Sequence, residues 1–188
     1  MNGLGGLPKD DRKAAELYKL AADQGNSNGQ VNLGMFYRDG LGGLTKDDRE
    51  AARLFKLSFD QGDPTGQFNL GVMYDFGRGG LTKDQREAAR LYKLAADQGD
   101  TSAQFNVAMM YEKGEGGLTK DDREAARLYR LVADRGDSDG QYKLAVFYRD
   151  GRGGLTKNTR EAARLFRLAA EQGDADAVMA LRILEQSK

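Results

Sequence analysis

The chain has 188 residues, and its 29 basic and 29 acidic side chains give a formal net charge of zero. Nucleic acid and anionic lipid are usually bound through a basic patch or stripe, and no net field draws this chain to either. The chain has neither cysteine nor histidine, which removes disulfides, thiolate metal sites, thiol nucleophiles, and the commonest general base and metal ligand. We therefore expect no nucleic-acid partner, no metal site and no cofactor.

Membrane insertion and export are also not expected from the sequence. No apolar run approaches the roughly 18 residues that span a bilayer, and residues 1–9 contain no hydrophobic signal core. We therefore expect no membrane partner and a cytoplasmic location.

The chain repeats itself five times with a constant step of 37 residues. Gly-Gly-Leu triplets begin at Gly5, Gly42, Gly79, Gly116 and Gly153. A second series with the same step consists of Gly25, Gly62, Gly99, Gly136 and Gly173. Periods of 20 to 50 residues are typical of solenoids, in which each unit packs on its neighbours. The sequence therefore predicts one repeat domain over residues 1–188.

Each copy contains two predicted helices. From residue 45 to residue 61 apolar side chains recur at spacings of three and four, which is typical of an amphipathic helix that ends at Gly62. Thr45 is its predicted N-cap, as Thr82 and Thr119 are in later copies. Asp63 is the predicted N-cap of a second, shorter helix, with Pro64 at its first position.

These signals recur along the chain and predict ten helices and no strand, so the fold class is all-α. The longer helices are predicted near 9–24, 46–61, 83–98, 120–135 and 157–172. The shorter helices are predicted near 27–39, 64–76, 101–113, 138–150 and 175–186. Small residues at one position of the shorter helices, Gly34, Gly71, Ala108 and Ala145, predict a close approach to the next helix.

The shorter helix and the helix after it carry a recognisable pattern, Ala/Gly-Gln-x-x-Leu-Gly/Ala-x-x-Tyr-x-x-Gly. It is seen as AQFNVAMMYEKG at residues 103–114 and is followed by EAARLYRLVADRG at residues 124–136. Through these residues the chain resembles the Sel-1-like repeat family, relatives of the tetratricopeptide repeats, over nearly its whole length.

The resemblance implies an α/α right-handed superhelical solenoid of five 37-residue helix pairs with a concave face. It implies a role as a scaffold or adaptor for protein complexes. Complete units in the family's phase are about 27–62, 64–99, 101–136 and 138–173, with an orphan helix at 9–24 and a terminal helix at 175–186. Family members with catalytic claims are rich in cysteine pairs, which this chain lacks, so we expect no enzymatic activity.

The shorter helices carry a second apolar face, which we call the stripe. It consists of Val31 and Met35, Phe68 and Val72, Phe105 and Met109, Tyr142 and Val146, and Met179 and Ile183. A spacing of four places both members of each pair on one helix face. By resemblance to tetratricopeptide arrays, this face would turn toward the concave groove. The alternative is that the stripe is buried between adjacent repeats.

Two sets of polar residues accompany the stripe. One is a ladder at a single repeat position, Asn32, Asn69, Asn106 and Lys143. The other lies one turn further along, Arg38, Asp75, Glu112 and Arg149. Amides of the ladder could hydrogen-bond the main chain of a ligand, and the alternative is that they are ordinary exposed residues.

These features together predict a monomeric, non-enzymatic scaffold that binds a protein or peptide on its concave face, as an extended segment or an amphipathic helix. A purely structural or consensus-designed stack without a ligand is the alternative, and an enzyme is the least expected reading. The Gly-x-Gly-Gly stretches follow a helix rather than a strand, so they predict turns and not phosphate loops.

Overall fold

The computed structural model describes residues 10–186. Within that range it contains ten α-helices and no strand. The helices are α1 Asp11–Asp23, α2 Ser27–Asp39, α3 Asp48–Asp60, α4 Pro64–Phe76, α5 Gln85–Asp97, α6 Thr101–Lys113, α7 Asp122–Asp134, α8 Ser138–Asp150, α9 Thr159–Glu171 and α10 Ala175–Gln186. The predicted all-α class and the pairing of helices are confirmed.

The even-numbered helices begin and end where the sequence predicts, but the odd-numbered ones are shorter than predicted. α3 has 13 residues, as α4 does, so these two helices do not differ in length. The difference lies mainly at the N-terminus, because α3 begins at residue 48 rather than 46.

The prediction that Thr45, Thr82 and Thr119 cap these helices is wrong. The cap of α3 is Asp47, whose carboxylate accepts hydrogen bonds from the main-chain N–H groups of Arg49 and Glu50 at 2.9 and 3.0 Å. The main-chain N–H of Asp47 itself donates to the carbonyl of Tyr37 at 2.8 Å. That bond holds residue 47 in an extended conformation outside the helix, so its side chain reaches back to the first turn.

Within each unit, Gly-Gly turns pack against a helix of the preceding repeat, as at Gly42, Gly79 and Gly153. Gly79 has φ +67°, and a Cβ atom there would lie 2.5 Å from the carbonyl oxygen of Asp48. Both the left-handed conformation and the close approach require glycine. Arg78 in the same turn forms a two-pronged ion pair with Asp48, with both hydrogen bonds at 3.0 Å. These stretches therefore serve as structural turns.

The chain divides into two compact units, and the boundary falls between residues 98 and 99. The first unit contains α1–α5, and consecutive helices pack on one another. Its core includes Phe55, Met73 and Leu91, all fully buried. Gly71 of α4 allows a close approach to α5, because a Cβ atom there would lie 2.8 Å from the Tyr92 ring.

The second unit contains α6–α10, which also pack consecutively. Tyr129 of α7 and Phe147 of α8 are fully buried, with ring centroids 5.5 Å apart. Arginine and glutamate side chains three residues apart pair on the solvated faces of odd-numbered helices, as in Arg127 with Glu124 at 2.6 Å. Within residues 10–186, no helix combines the length and the apolar character needed to cross a bilayer.

Candidate functional site

The helices that carry the stripe lie side by side within each unit. In the first unit, Nη1 of Arg38 on α2 donates to Oδ1 of Asn69 on α4 at 3.3 Å. In the second unit, Nζ of Lys143 on α8 donates to Oε2 of Glu112 on α6 at 3.2 Å. Each unit therefore places two stretches of the stripe next to each other.

The aromatic residues of the stripe are half-buried, because one side of each ring packs on an aromatic ring of the following helix. The ring centroids are 5.6 Å apart for Phe68 and Tyr92, and 5.7 Å apart for Phe105 and Tyr129. Tyr142 has the same relation to Phe166 at 5.6 Å. The partner rings of the following helices are buried, so each stripe ring is held in place while part of it stays accessible.

The other stripe residues differ in exposure. Those that are half-buried in the same way are Met35, Val72, Met109 and Val146. Val31 is only 3% exposed and belongs to the core of the first unit. Met179 and Ile183 of α10 are 63% and 62% exposed. The accessible part of the stripe therefore extends from Met35 onward, and Val31 contributes to packing.

The asparagines of the ladder bond mainly to their own helices. The side-chain amide of Asn32 donates to the carbonyl of Asn28, and that of Asn69 donates to the carbonyl of Thr65, both at 2.8 Å. Asn69 is also buried, at 5% exposure, whereas Asn106 is half-buried. One donor of each bonded amide is thus occupied, which weakens the prediction that the ladder hydrogen-bonds a ligand.

Two of the charged residues beside the stripe are paired with a neighbouring carboxylate. Arg38 forms two hydrogen bonds with Asp39 at 2.8 and 2.7 Å, which hold the pKa of Asp39 below its usual value. Arg149 pairs with Asp150 in the same way at 2.7 and 2.9 Å. Asp75 accepts a long hydrogen bond from Gln85 at 3.5 Å. The two arginines beside the stripe are therefore neutralised locally, whereas the partner of Asp75 is an uncharged amide.

Glu112 stands at the centre of a network that the sequence did not predict. Its carboxylate accepts from the Tyr129 hydroxyl at 2.8 Å and from Nη1 of Arg152 at 2.9 Å, in addition to Lys143. Burial raises the pKa of Glu112, but the hydrogen bonds from Tyr129 and Arg152 and the charge of Lys143 outweigh it, so the pKa is lowered. Burial and the bond to Glu112 raise the pKa of Tyr129.

A paired change in the sequence could have revealed this network. Lys143 interrupts the asparagines of the ladder in the copy that directly follows Glu112. An acid and a base that appear together in consecutive copies indicate a contact between the two helices.

Within each unit, the surface around the stripe combines half-buried rings with methionine and valine side chains, and most of the charges beside it are paired within the chain. Such a surface has the chemistry to recognise a polypeptide. Among residues 10–186, no group of three or more acidic side chains is placed to hold a metal ion.

Comparison with known proteins gives matches along the chain. The Sel1 repeat model matches residues 1–26, 27–63, 64–100, 101–137 and 138–174. No curated protein gives a significant match.

Solved structures match with high coverage of this chain. It is similar to c5321, described as a protective antigen present in uropathogenic Escherichia coli strains displaying an SLR fold, with 36% identity and a TM-score of 0.82. That alignment covers 97% of this chain and 38% of the E. coli protein, so the chain spans well under half of that protein.

Two further structures have the same fold. A Sel1 repeat protein from Oxalobacter formigenes is 29% identical with a TM-score of 0.80, over 94% of this chain and 68% of that one. The immunity protein Pa5087 from Pseudomonas aeruginosa is 21% identical with a TM-score of 0.58, over 88% of this chain and 60% of that one. The last likeness concerns the fold alone.

Proposed function

Because the chain belongs to the Sel1 repeat family, whose members are generally protein-interaction scaffolds and typically not enzymes, we propose that it is a non-enzymatic scaffold that binds a partner protein through the stripe. The partner contributes an extended segment or one face of an amphipathic helix. We propose further that the chain acts as a monomer in the cytoplasm, and light scattering of the purified protein tests the monomeric state.

The main observation behind this proposal is the partial burial of three aromatic residues, Phe68, Phe105 and Tyr142. Each is half-buried and rests against an aromatic ring of the next helix. Aromatic side chains that are already ordered lose little conformational entropy on binding, which is why such residues often dominate interface energetics.

The paired arginines beside the stripe support an apolar mode of recognition. Arg38 and Arg149 are already paired with Asp39 and Asp150, so a partner would gain little from a charge placed near them. Burial of apolar side chains between the stripe residues would then supply most of the binding free energy.

Selection of binding peptides from a random library against the full chain tests the proposal. Affinities of the selected peptides would be measured for the wild type, for Met109→Gln on the stripe and for Leu131→Gln as a control. Leu131 lies on α7 in the same unit and is 39% exposed, so both variants replace an accessible apolar side chain with an amide.

We expect Met109→Gln to weaken binding about tenfold, which corresponds to about 1.4 kcal/mol, and Leu131→Gln to leave it unchanged. A library that yields no binder, or binders that respond to Leu131→Gln and not to Met109→Gln, would contradict the proposal.

A further inference from the structure

A pocket of about 360 Å³ opens in the first unit, away from the stripe. Arg12, Glu16 and Lys19 line it from one face of α1, and Tyr37 lines it from α2. The Gly42-Gly43 turn closes one side. The pocket is open to solvent on the α1 side, where Arg12, Glu16 and Lys19 are exposed, and its wall contains an aromatic ring, a carboxylate and two cations.

The second unit shows which side chain can lie on the tyrosine at the corresponding repeat position. The residues that correspond to Lys19 and Tyr37, three repeats later, are Arg130 and Tyr148. Nη2 of Arg130 donates to the Tyr148 hydroxyl at 2.8 Å, and its guanidinium carbon lies 5.9 Å from the centroid of the Tyr148 ring. In this repeat, the tyrosine is therefore covered by an arginine of the same protein.

In the part of the first unit that the structure describes, Tyr37 has no arginine of the same kind on its ring and hydroxyl. Lys19 stands in place of the arginine, and its ammonium group bonds to Asp23 one turn further along, at 2.8 Å. Among residues 10–186, no side chain donates a hydrogen bond to the Tyr37 hydroxyl. Lys19 and Arg53, whose charges act on Tyr37, are paired with Asp23 and Glu50 instead. Within the described part of the chain, the Tyr37 hydroxyl is therefore left as an acceptor in the pocket.

The pocket also has an acidic group that the other repeats lack at this position. Glu16 stands where later copies have arginine, namely Arg53, Arg90, Arg127 and Arg164. A carboxylate at the wall favours a cationic ligand through a charge-assisted hydrogen bond. Arg12 lies against the Gly43 turn as Arg123 lies against Gly154, with Nε 3.6 Å from the place of a Cβ in both cases. An arginine at this position is therefore compatible with a guanidinium on the tyrosine of the same repeat, as Arg130 on Tyr148 shows.

We infer that this pocket binds an arginine side chain of a partner polypeptide, with the guanidinium on Tyr37 and paired with Glu16. The planar guanidinium suits this place because it packs on a ring and donates in its own plane at the same time, which an ammonium group does not. The pocket is separate from the stripe, so this inference holds or fails independently of the proposed function.

Titration of the ¹⁵N-labelled full chain with the blocked peptide acetyl-Gly-Gly-Arg-Gly-Gly-amide tests the inference. We expect saturable shifts of the main-chain amide signals of Tyr37, Gly42 and Gly43. Peptides with citrulline or lysine in place of arginine should bind at least about tenfold more weakly, because citrulline lacks the charge and lysine lacks the planar donor group.

The decisive variant is Lys19→Arg, which should place an arginine on Tyr37 as Arg130 lies on Tyr148. We expect it to fold normally and to bind the arginine peptide at least about tenfold more weakly. The matched control is Lys56→Arg, since Lys56 pairs with Asp60 as Lys19 pairs with Asp23 but lies one repeat away from the pocket.

Glu16→Gln and Tyr37→Phe should each weaken the binding as well, and neither changes a side chain of the stripe. Equal binding of the citrulline peptide, or wild-type affinity in Lys19→Arg, would overturn the inference.

Discussion

At the scale of single residues, the carboxylate of Glu112 links α6, α7 and α8 of the second unit. It accepts hydrogen bonds from Tyr129, Lys143 and Arg152, and its own side chain is only 15% exposed. Glu112→Gln keeps the size of the side chain but removes the charge that these donors face. We expect the free energy of unfolding to fall by about 1–3 kcal/mol near neutral pH, as measured by urea denaturation.

The effect of Glu112→Gln should depend on pH in a defined direction. The pKa of Glu112 in the folded chain lies below its ordinary value of 4.5. The charged carboxylate therefore contributes fully above that value, and its contribution is lost as the pH falls through the lowered pKa. The difference in stability between wild type and variant should narrow over that acidic range.

Glu115→Gln is the control for this prediction. Glu115 lies in the same unit, but its pair with Lys113 is 3.9 Å long and both side chains are about half exposed. We expect a change below about 0.5 kcal/mol. A difference for Glu112→Gln that stays constant down to strongly acidic pH would contradict the role given to its charge.

Gly71 provides a second test at this scale. A side chain there meets the buried ring of Tyr92, since a Cβ atom would lie 2.8 Å from it. We expect Gly71→Leu to lower the free energy of unfolding by about 1–3 kcal/mol, although leucine has the higher helix propensity.

The control for Gly71→Leu is Ser102→Leu, at an exposed position of α6. It should change stability by less than about 0.5 kcal/mol. Wild-type thermal stability of Gly71→Leu would refute the close approach of α4 and α5.

The sequence predicted which helix face the stripe residues share, but it did not predict how exposed each of them is. Val31 and Phe68 occupy the same repeat position, yet Val31 is buried and Phe68 is half-buried. Repeat position determines the direction of a side chain, whereas its exposure depends on the size of the side chain and on its neighbours. The bond between Arg38 and Asn69 was unpredictable for the same reason, because it joins residues 31 positions apart.

At the scale of helices, the caps of the odd-numbered helices were the main error. Threonine and aspartate both favour the N-cap, and Thr82 and Asp84 are two residues apart, so local preference does not choose between them. The choice is made by the hydrogen bond from the main-chain N–H of Asp84 to the carbonyl of Tyr74 at 2.9 Å, a contact with the preceding helix. Glycine ends and the Pro64 start are local signals, and they predicted the even-numbered helices correctly.

A pair of alanine substitutions separates the two possible caps of α5. Asp84 accepts hydrogen bonds from the main-chain N–H groups of Arg86 and Glu87, so Asp84→Ala should lower the free energy of unfolding by about 1 kcal/mol. Thr82→Ala should have almost no effect, because Thr82 is exposed and lies outside the helix. Chemical denaturation of the two variants measures both, and a larger loss for Thr82→Ala would restore the cap at Thr82.

At the scale of the whole molecule, the 37-residue period was enough to predict most of the fold. A constant step through five copies predicts the same helix pair five times, and the ten helices of residues 10–186 follow it. Differences between copies carry the specific features. Two such differences are the pair of Glu112 with Lys143 and the presence of Lys19 at the position that Arg130 has in a later copy. The pattern shared by all copies does not predict either of them.

The central claim is that the half-buried stripe binds a partner, and the methionines of the chain report on it directly. Of the three stripe methionines, Met35 and Met109 are half-buried and Met179 is exposed. Met73 and Met110 lie in the same two units but are buried in the packing, and Met110 is the direct neighbour of Met109. A spectrum of the ¹³C-methyl-labelled methionines, recorded with and without a bound partner peptide, therefore contains its own controls.

The account predicts that the methyl signal of at least one of the stripe methionines, Met35, Met109 and Met179, shifts on saturation with the peptide, while those of Met73 and Met110 stay in place. A bound peptide that leaves the signals of Met35, Met109 and Met179 all unchanged would contradict it.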